Sequence, residues 1–187
     1  MHEPWAYALW VLGAFLLGSA SVGDLVSRIA GVRIRALGTG NPGAANIYRE
    51  IGPAYGIAVI VLDIVKGAAA TLPLYFLDFA TWMRIVAMVA LLLGHLFPVF
   101  WRFRGGTGMA TTMGSAVGLL PVGGLAALPT ALLAVSLSRN PGYSGGLFFL
   151  VTLVVGGVAH RDGVGVAGVL LAAGAIFIKA RRQYRDE

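Results

Sequence analysis

The sequence predicts an all-α polytopic membrane protein of about seven transmembrane helices, with its N-terminus outside and its C-terminus cytoplasmic. Three observations carry that expectation. The 187-residue chain is 58% hydrophobic and 12% charged, with a mean hydropathy of +0.82, whereas soluble domains carry about 25% charged residues. Its apolar residues gather into blocks near the roughly 20 residues that a helix needs to cross the hydrocarbon layer. Its basic residues fall between alternate blocks, on what would be one side of the membrane.

The blocks follow in order. Residues 5–22 come first, after His2 and Glu3. A removable signal peptide would show a basic start and a small-residue cleavage site, so this block reads as a retained helix. Next come residues 53–77 and 82–101, then a break at Gly105-Gly106. Residues 107–120, 122–138, 143–159 and 163–178 complete the set. The fourth block is short and could fuse with the fifth into one 32-residue helix. Pro121 with Gly123 and Gly124 argues for a break there instead.

Charge then orients the chain. With seven spans and the N-terminus outside, the inner side holds Arg28, Arg33, Arg35, Arg49, Arg102, Arg104, Arg139, Lys179, Arg181, Arg182 and Arg185. Outside remain Arg84 and Arg161, so eleven basic residues stand against two. Six spans would put Arg139 and the basic tail on opposite sides. The expected organisation is one integral membrane domain, 1–187, with cytoplasmic loops at 23–52 and 102–107 and a basic tail at 179–187. The net charge of +6 sits beside apolar spans rather than along a polar face. It therefore points to topology, anionic lipids and anionic substrates, and to no nucleic-acid partner. Cysteine is absent, which excludes disulfides. The 27 glycines suit close helix packing; Gly114-Ser115-x-x-Gly118 and Gly163-x-Gly165-x-x-Gly168 are typical.

Two polar loops interrupt the pattern. The first, "LGTGNPGAAN" at 37–46, lets successive backbone N–H groups point into one concavity, which suits phosphate. Thr39, Asn41 and Asn46 add side-chain donors, Arg33 and Arg35 lie upstream, and a helix N-terminus follows. Taken alone, the loop is as readily a glycine-rich turn without a ligand. The second, "WRFRGGTGMATTMG", joins Arg102 and Arg104 to Gly105, Gly106 and Gly108, then to Thr107, Thr111 and Thr112. Guanidinium forks fit phosphate oxygens bidentately. Both loops face one compartment, so together they suggest a site for two anionic groups. Neither is a Walker A loop.

Asp63, Lys66 and His95 lie inside apolar blocks, where ionisable groups are costly and default to a functional role. Asp63 and Lys66, three apart, share a helix face and can form an ion pair. Lys66 either belongs to a structural pair tying the second helix to a neighbour or reaches the anion site; it lies more than ten residues beyond Pro53, a depth that weighs against direct contact. His95 precedes Arg104 by nine residues. It can donate to a phosphate, act as a general base, or simply bond a neighbouring helix. Ser19, near the end of the first block, can join the pocket or bond within its own helix.

These segments, in the order "LLGSASVGDLVSR", "GTGNPGAAN", "LDIVKG" and "GHLFPVFWRFRGGTGMAT", resemble the PlsY family of bacterial membrane acyltransferases. The resemblance is dense over residues 13–115. It implies transfer of an acyl group from acyl phosphate to the 1-hydroxyl of glycerol 3-phosphate, giving lysophosphatidic acid and phosphate in phospholipid synthesis. It also implies a multi-pass protein of the bacterial cell membrane, a monomer among membrane lipids, with no cofactor and no metal. By resemblance, Thr39, Gly40, Asn41, Gly43 and Asn46 sit at one phosphate and Arg104, Gly105, Gly106 and Gly108 at the other, with His95 and Ser19 nearby. Arg35, Arg102 and Thr107 complete the expected phosphate-binding set from their places in the two loops. His95, Asn41 and Arg104 are the expected catalytic groups, with Asp63 and Lys66 as intramembrane support. The chain departs from the family pattern at Thr39 for serine, Ala45 for threonine and Thr107 for the lysine of GGKG. It departs again at "KARRQ", 179–183, which lacks the family's histidine, acid and asparagine. Two other classes compete: a noncatalytic relative binding an anionic lipid or phosphate metabolite, and a small transporter using Asp63, Lys66 and His95. No obvious repeat supports the transporter.

Overall fold

The computed structural model describes residues 3–138 and 141–185, and within them every regular element is helical. Helix α1 (Pro4–Ser19) ends where Ala20 turns extended. Helix α2 (Val22–Ile29) restarts at once, with Ser21 Oγ accepting from the Asp24 N–H as its cap. A 3-10 turn at Ile34–Ala36 and the first polar loop lead into the short α3 (Ala44–Glu50). The remaining helices are α4 (Pro53–Phe76), α5 (Thr81–Leu96), α6 (Met109–Leu119), α7 (Pro121–Ser138), α8 (Pro141–His160) and α9 (Gly163–Arg185). Proline opens α1, α4, α7 and α8, at the helix start where its missing N–H has no intrahelical partner to lose.

Five helical segments are long and apolar enough to cross a membrane: Pro4–Ile29, Pro53–Phe76, Thr81–Trp101, Tyr143–His160 and Gly163–Arg181. Pro121–Leu137 is a shorter apolar helix. The fourth expected span is reduced. Gly108 takes a left-handed conformation (φ 86°), so α6 begins only at Met109 and runs 11 residues, about 16 Å at 1.5 Å per residue. Everything from Thr111 to Leu119 is buried, which makes α6 a core helix rather than a lipid-facing one. It does not fuse with α7, because Leu120 leaves helical angles (φ −130°, ψ 72°).

The long helices run between two ends of the bundle. At one end, Arg84 of α5 donates to the Leu119 carbonyl (3.2 Å) and pairs with Asp162 (3.7 Å). Thr81 donates to Asp162 at 2.8 Å, and the Val122 N–H to His160 at 3.2 Å. The opposite end holds the two polar loops, with α6 descending from them. Arg139 lies outside the described residues, as do the side chains of Arg182 and Arg185.

Close packing follows the small residues. Helices α4 and α6 approach until a Cβ on Gly67 would strike the Thr111 carbonyl and one on Gly114 the Ile64 carbonyl. Thr71 Oγ1 bonds the Ser115 carbonyl across this seam at 3.1 Å. The Gly114–Gly118 stretch therefore packs as expected. In the later glycine pattern a Cβ on Gly168 would stand 2.9 Å from Ile85, while one on Gly163 would meet open space. The core around α6 gathers Met88, Leu92, Val117, Leu120, Phe148 and Val169. Leu9, Leu132, Leu137, Val158 and Leu171 stay exposed on the outer helix faces, as lipid contact requires.

Candidate functional site

The first loop is held from below. Asp24, buried in the first turn of α2, receives Arg35 as a fork, Nε to Oδ1 at 2.7 Å and Nη2 to Oδ2 at 2.6 Å. Ser21 Oγ donates to the same carboxylate at 2.6 Å. The charge-assisted fork fixes the guanidinium, whose Nη2 also donates to the Arg104 carbonyl at 2.7 Å. One arginine thus ties the first loop to the second.

Within the first loop, side chains satisfy the backbone. The buried Asn46 amide accepts from the Thr39 N–H (3.2 Å) and donates to the carbonyls of Leu37 (3.0 Å) and Asn41 (3.1 Å). Thr39 Oγ1 accepts from the Asn41 N–H at 3.3 Å, and Asn41 Oδ1 from the Gly43 N–H at 3.0 Å. Gly40 closes the turn at φ 66°. Asn46 accordingly shapes the loop, and Thr39 and Asn41 lie on its surface.

The second loop folds back onto the end of α5. Arg102 and Phe103 adopt left-handed angles (φ 54° and 60°), and the Gly105 N–H reaches the Leu96 carbonyl at 3.2 Å. Gly106 then lies against the imidazole: a Cβ there would stand 2.8 Å from His95 Nε2 and 3.6 Å from Asn41 Oδ1. From α9, Lys179 Nζ donates to the Gly106 carbonyl at 2.7 Å. Asn41, Gly106, His95 and Lys179 are therefore drawn to one place from four separate segments.

Beneath them is a buried polar cluster. Lys66 Nζ stands 2.8 Å from Asp63 Oδ1, 3.1 Å from His95 Nδ1 and 3.2 Å from the Ala20 carbonyl. Thr111 Oγ1 lies 3.1 Å from the same His95 nitrogen. The Lys66–Asp63 contact is a short-range charge pairing, since no well-directed hydrogen bond reaches Asp63 Oδ1. A buried pair of this kind stabilises little by itself, but losing either partner strands a charge. The cluster joins α4 to the α1–α2 break, α5 and α6.

The other expected site residues are placed less centrally. Ser19 Oγ bonds the Phe15 carbonyl of its own helix at 3.0 Å. Arg102 is exposed, and Arg104 is exposed with its carbonyl engaged rather than its guanidinium. Thr107 is half-buried and makes no side-chain hydrogen bond among the described residues. Gly105 and Gly108 flank the imidazole, the former against the His95 carbonyl. The sequence assigns no site role to Asp24 or to Lys179, which enters it only among the inner basic residues. A lone acid beside a capping serine was the signal for the first; nothing local marks the second. Apolar grooves run along α1, one lined by Trp5, Leu9, Trp10, Leu17 and Ala70, the other by Val11, Phe15, Val86, Ala90 and Leu93.

Residues 8–186 match the family model described as glycerol-3-phosphate acyltransferase. A glycerol-3-phosphate acyltransferase of Thioalkalivibrio sulfidiphilus is 44% identical over 131 residues, covering 69% of this chain and 64% of that protein. One of Geobacter metallireducens is 43% identical over 114 residues, covering 61% and 59%. The matched stretch thus spans about three fifths of these relatives' length. Two crystal structures of PlsY, an integral membrane glycerol 3-phosphate acyltransferase, superpose at 27% identity, covering 96% of this chain and 90% of theirs. The glycerol 3-phosphate form gives a TM-score of 0.83 and the lysophosphatidic acid form 0.81. With such neighbours, the chain is an integral multi-pass membrane protein with an all-α fold.

Proposed function

Since this chain belongs to the glycerol-3-phosphate acyltransferase family, we propose that it moves an acyl group from acyl phosphate to the 1-hydroxyl of glycerol 3-phosphate. The products are lysophosphatidic acid and inorganic phosphate. The observation that carries this reading is the meeting of the two glycine loops at Gly106, between Asn41 Oδ1 and His95 Nε2. Both substrates carry a phosphate, and two loops of phosphate-cradling composition are tied together by the Arg35 bond to the Arg104 carbonyl. The apolar grooves along α1 offer the kind of surface an acyl tail needs.

Acyl phosphate is already activated, so the reaction needs no protein nucleophile. The acceptor oxygen forms the new ester bond, the acyl carbon–phosphate oxygen bond breaks, and the hydroxyl proton ends on the released phosphate. Positioning and charge stabilisation then supply the catalysis. Thr39, Gly40, Asn41 and Gly43 lie toward one phosphate, held by Arg35 and Asn46. Arg102, Arg104, Gly105, Gly106, Thr107 and Gly108 lie toward the other. The eleven-to-two distribution of basic residues further supports seven crossings with the N-terminus outside and both loops cytoplasmic. On that reading the short, buried α6 is the fourth crossing.

The test is direct. Purified protein in lipid vesicles is given acyl phosphate and glycerol 3-phosphate, and phosphate release is measured beside lysophosphatidic acid by mass spectrometry. Equal yields of the two products are expected. No product with glycerol 3-phosphate or with other polyol phosphates would overturn the proposal.

A further inference from the structure

The imidazole of His95 has two faces with different company. Its Nδ1 side meets Lys66 Nζ at 3.1 Å and Thr111 Oγ1 at 3.1 Å. Both of its side-chain hydrogen bonds among the described residues are made at Nδ1, and Nε2 looks onto Gly106, where a Cβ would stand 2.8 Å away. The residue is only 9% exposed, and Nε2 is not among the buried unpartnered atoms, so this is the ring nitrogen that a molecule entering the gap can reach.

We infer that His95 works as a fixed hydrogen-bond donor through Nε2, with Lys66 and Thr111 as the positioning residues that set its tautomer. The tautomer follows from counting protons. An ammonium has three N–H donors and no lone pair. Lys66 directs two of them to His95 Nδ1 (3.1 Å) and the Ala20 carbonyl (3.2 Å), while its charge pairs with Asp63 Oδ1 at 2.8 Å without a well-directed hydrogen bond. The atom facing Lys66 must therefore present a lone pair, which leaves Nδ1 bare. A neutral imidazole carries one ring proton, so that proton sits on Nε2. A doubly protonated ring would aim an N–H at a cation 3.1 Å away. The Thr111 hydroxyl, whose proton rotates, agrees with the same assignment.

Of the three roles open to His95, this removes the general base. With Nε2 protonated and the Nδ1 lone pair held by Lys66, the ring has no free base to offer the acceptor hydroxyl. It has a donor, pre-aimed at the gap beside Asn41 Oδ1, suited to an anionic oxygen of the acyl phosphate or the oxyanion formed on attack. The identity of that oxygen rests on the proposed acyl transfer; the tautomer does not. The hydroxyl proton then passes to the departing phosphate, as the overall balance requires.

Two measurements decide the matter separately. The first is nitrogen NMR on protein with 15N-labelled histidine in nanodiscs, with the signal assigned by its loss in His95→Gln. Nδ1 is expected unprotonated and Nε2 protonated, with mixed tautomers in Lys66→Met. A protonated Nδ1 in the wild type overturns the inference whether or not the protein is active. The second compares His95→Gln, whose amide keeps a donor near the Nε2 position, with His95→Glu, which keeps only an acceptor when ionised. A donor role predicts kcat within about tenfold of wild type for glutamine and a loss of roughly 10²–10³ for glutamate. Glutamate equal to or better than glutamine would restore the general base. If the wild type itself releases no phosphate, the proposed acyl transfer fails, while the NMR result still stands or falls alone.

Discussion

Replacing Arg35 with methionine removes the fork that binds the two loops, and its consequences can be estimated. The Asp24 carboxylate is 4% exposed. Without Arg35 it retains the Ser21 hydroxyl at 2.6 Å and, among the described residues, no paired cation. Stranding a buried charge costs about 3–5 kcal/mol. The Arg35 side chain is itself 30% exposed, so water and screening reduce this to about 2–3 kcal/mol. Loss of the bond to the Arg104 carbonyl adds to the effect. With roughly 3 kcal/mol in total and about 2–4 °C per kcal/mol for a chain of this size, the melting temperature in detergent should fall by roughly 6–12 °C. The KM for glycerol 3-phosphate should rise as the first loop loses its fixed position over the second. Adding Asp24→Asn neutralises the stranded charge, so the double variant should melt above Arg35→Met alone. If Arg35→Met melts within about 2 °C of wild type, or Asp24→Asn recovers nothing, then the fork does not hold the loops and the reasoning fails.

Three further outcomes are expected. Gly106→Ala places a Cβ 2.8 Å from His95 Nε2, and the ring cannot retreat past Lys66 and Thr111; kcat should fall about a hundredfold with the melting temperature nearly unchanged. Lys179→Met deletes the 2.7 Å bond to the Gly106 carbonyl; steady-state kinetics should show weaker binding of a phosphate substrate, partly restored by Lys179→Arg. At the other end of the bundle, burial pushes the Asp162 carboxyl up, but the Gly165 N–H, the Thr81 hydroxyl and the Arg84 guanidinium outweigh it and hold it below its ordinary 3.8. A carboxyl lowered on folding contributes stability that is complete above its unfolded value and lost as pH falls through the folded one. Wild type should therefore melt above Asp162→Asn at pH 6 and converge with it below about pH 3, as thermal scans across that range would reveal.

What the sequence made legible, and what it hid, has physical reasons. Block composition and proline starts announced the helices, and α1, α4, α5, α8 and α9 lie where apolar runs placed them. The fourth block was overestimated because Gly105 to Gly108 count as small, uncharged residues, yet they belong to a loop pressed against α5. Loop types were readable from Gly, Asn, Thr and Arg in close succession, but not the direction of each side chain. Asn46 has the composition of a ligand donor and turns inward to hold the Leu37 and Asn41 carbonyls. The depth assigned to Lys66 was measured from Pro53 along one helix. The structure supplies a nearer neighbour: α1 stops at Ser19, and the Ala20 carbonyl comes within 3.2 Å of Nζ. The Lys179–Gly106 bond spans 73 positions and has no local pattern at all.

That last contact bears on the chain's two largest departures from its family's pattern. Thr107 stands where the pattern has lysine, and α9 ends in a segment without the expected histidine, acid or asparagine. On the proposed reading, taken separately, these are two losses at an anion site. The structure connects them, because α9 brings the Lys179 ammonium to the carbonyl of Gly106, the residue next to Thr107. Coulomb attraction falls only as the inverse of distance, so a cation held at the Gly106 carbonyl can still act on a phosphate at the second loop without contacting it. What it gives up is freedom, since one of its protons is already committed to the loop. On the proposed reading, charge at the second loop is retained while the direct, mobile lysine contact is exchanged for a fixed one. The cation then depends on the docking of α9. Changes that loosen α9, such as overpacking Gly168 against Ile85, where a Cβ would already stand 2.9 Å away, should consequently weaken phosphate binding without touching either loop.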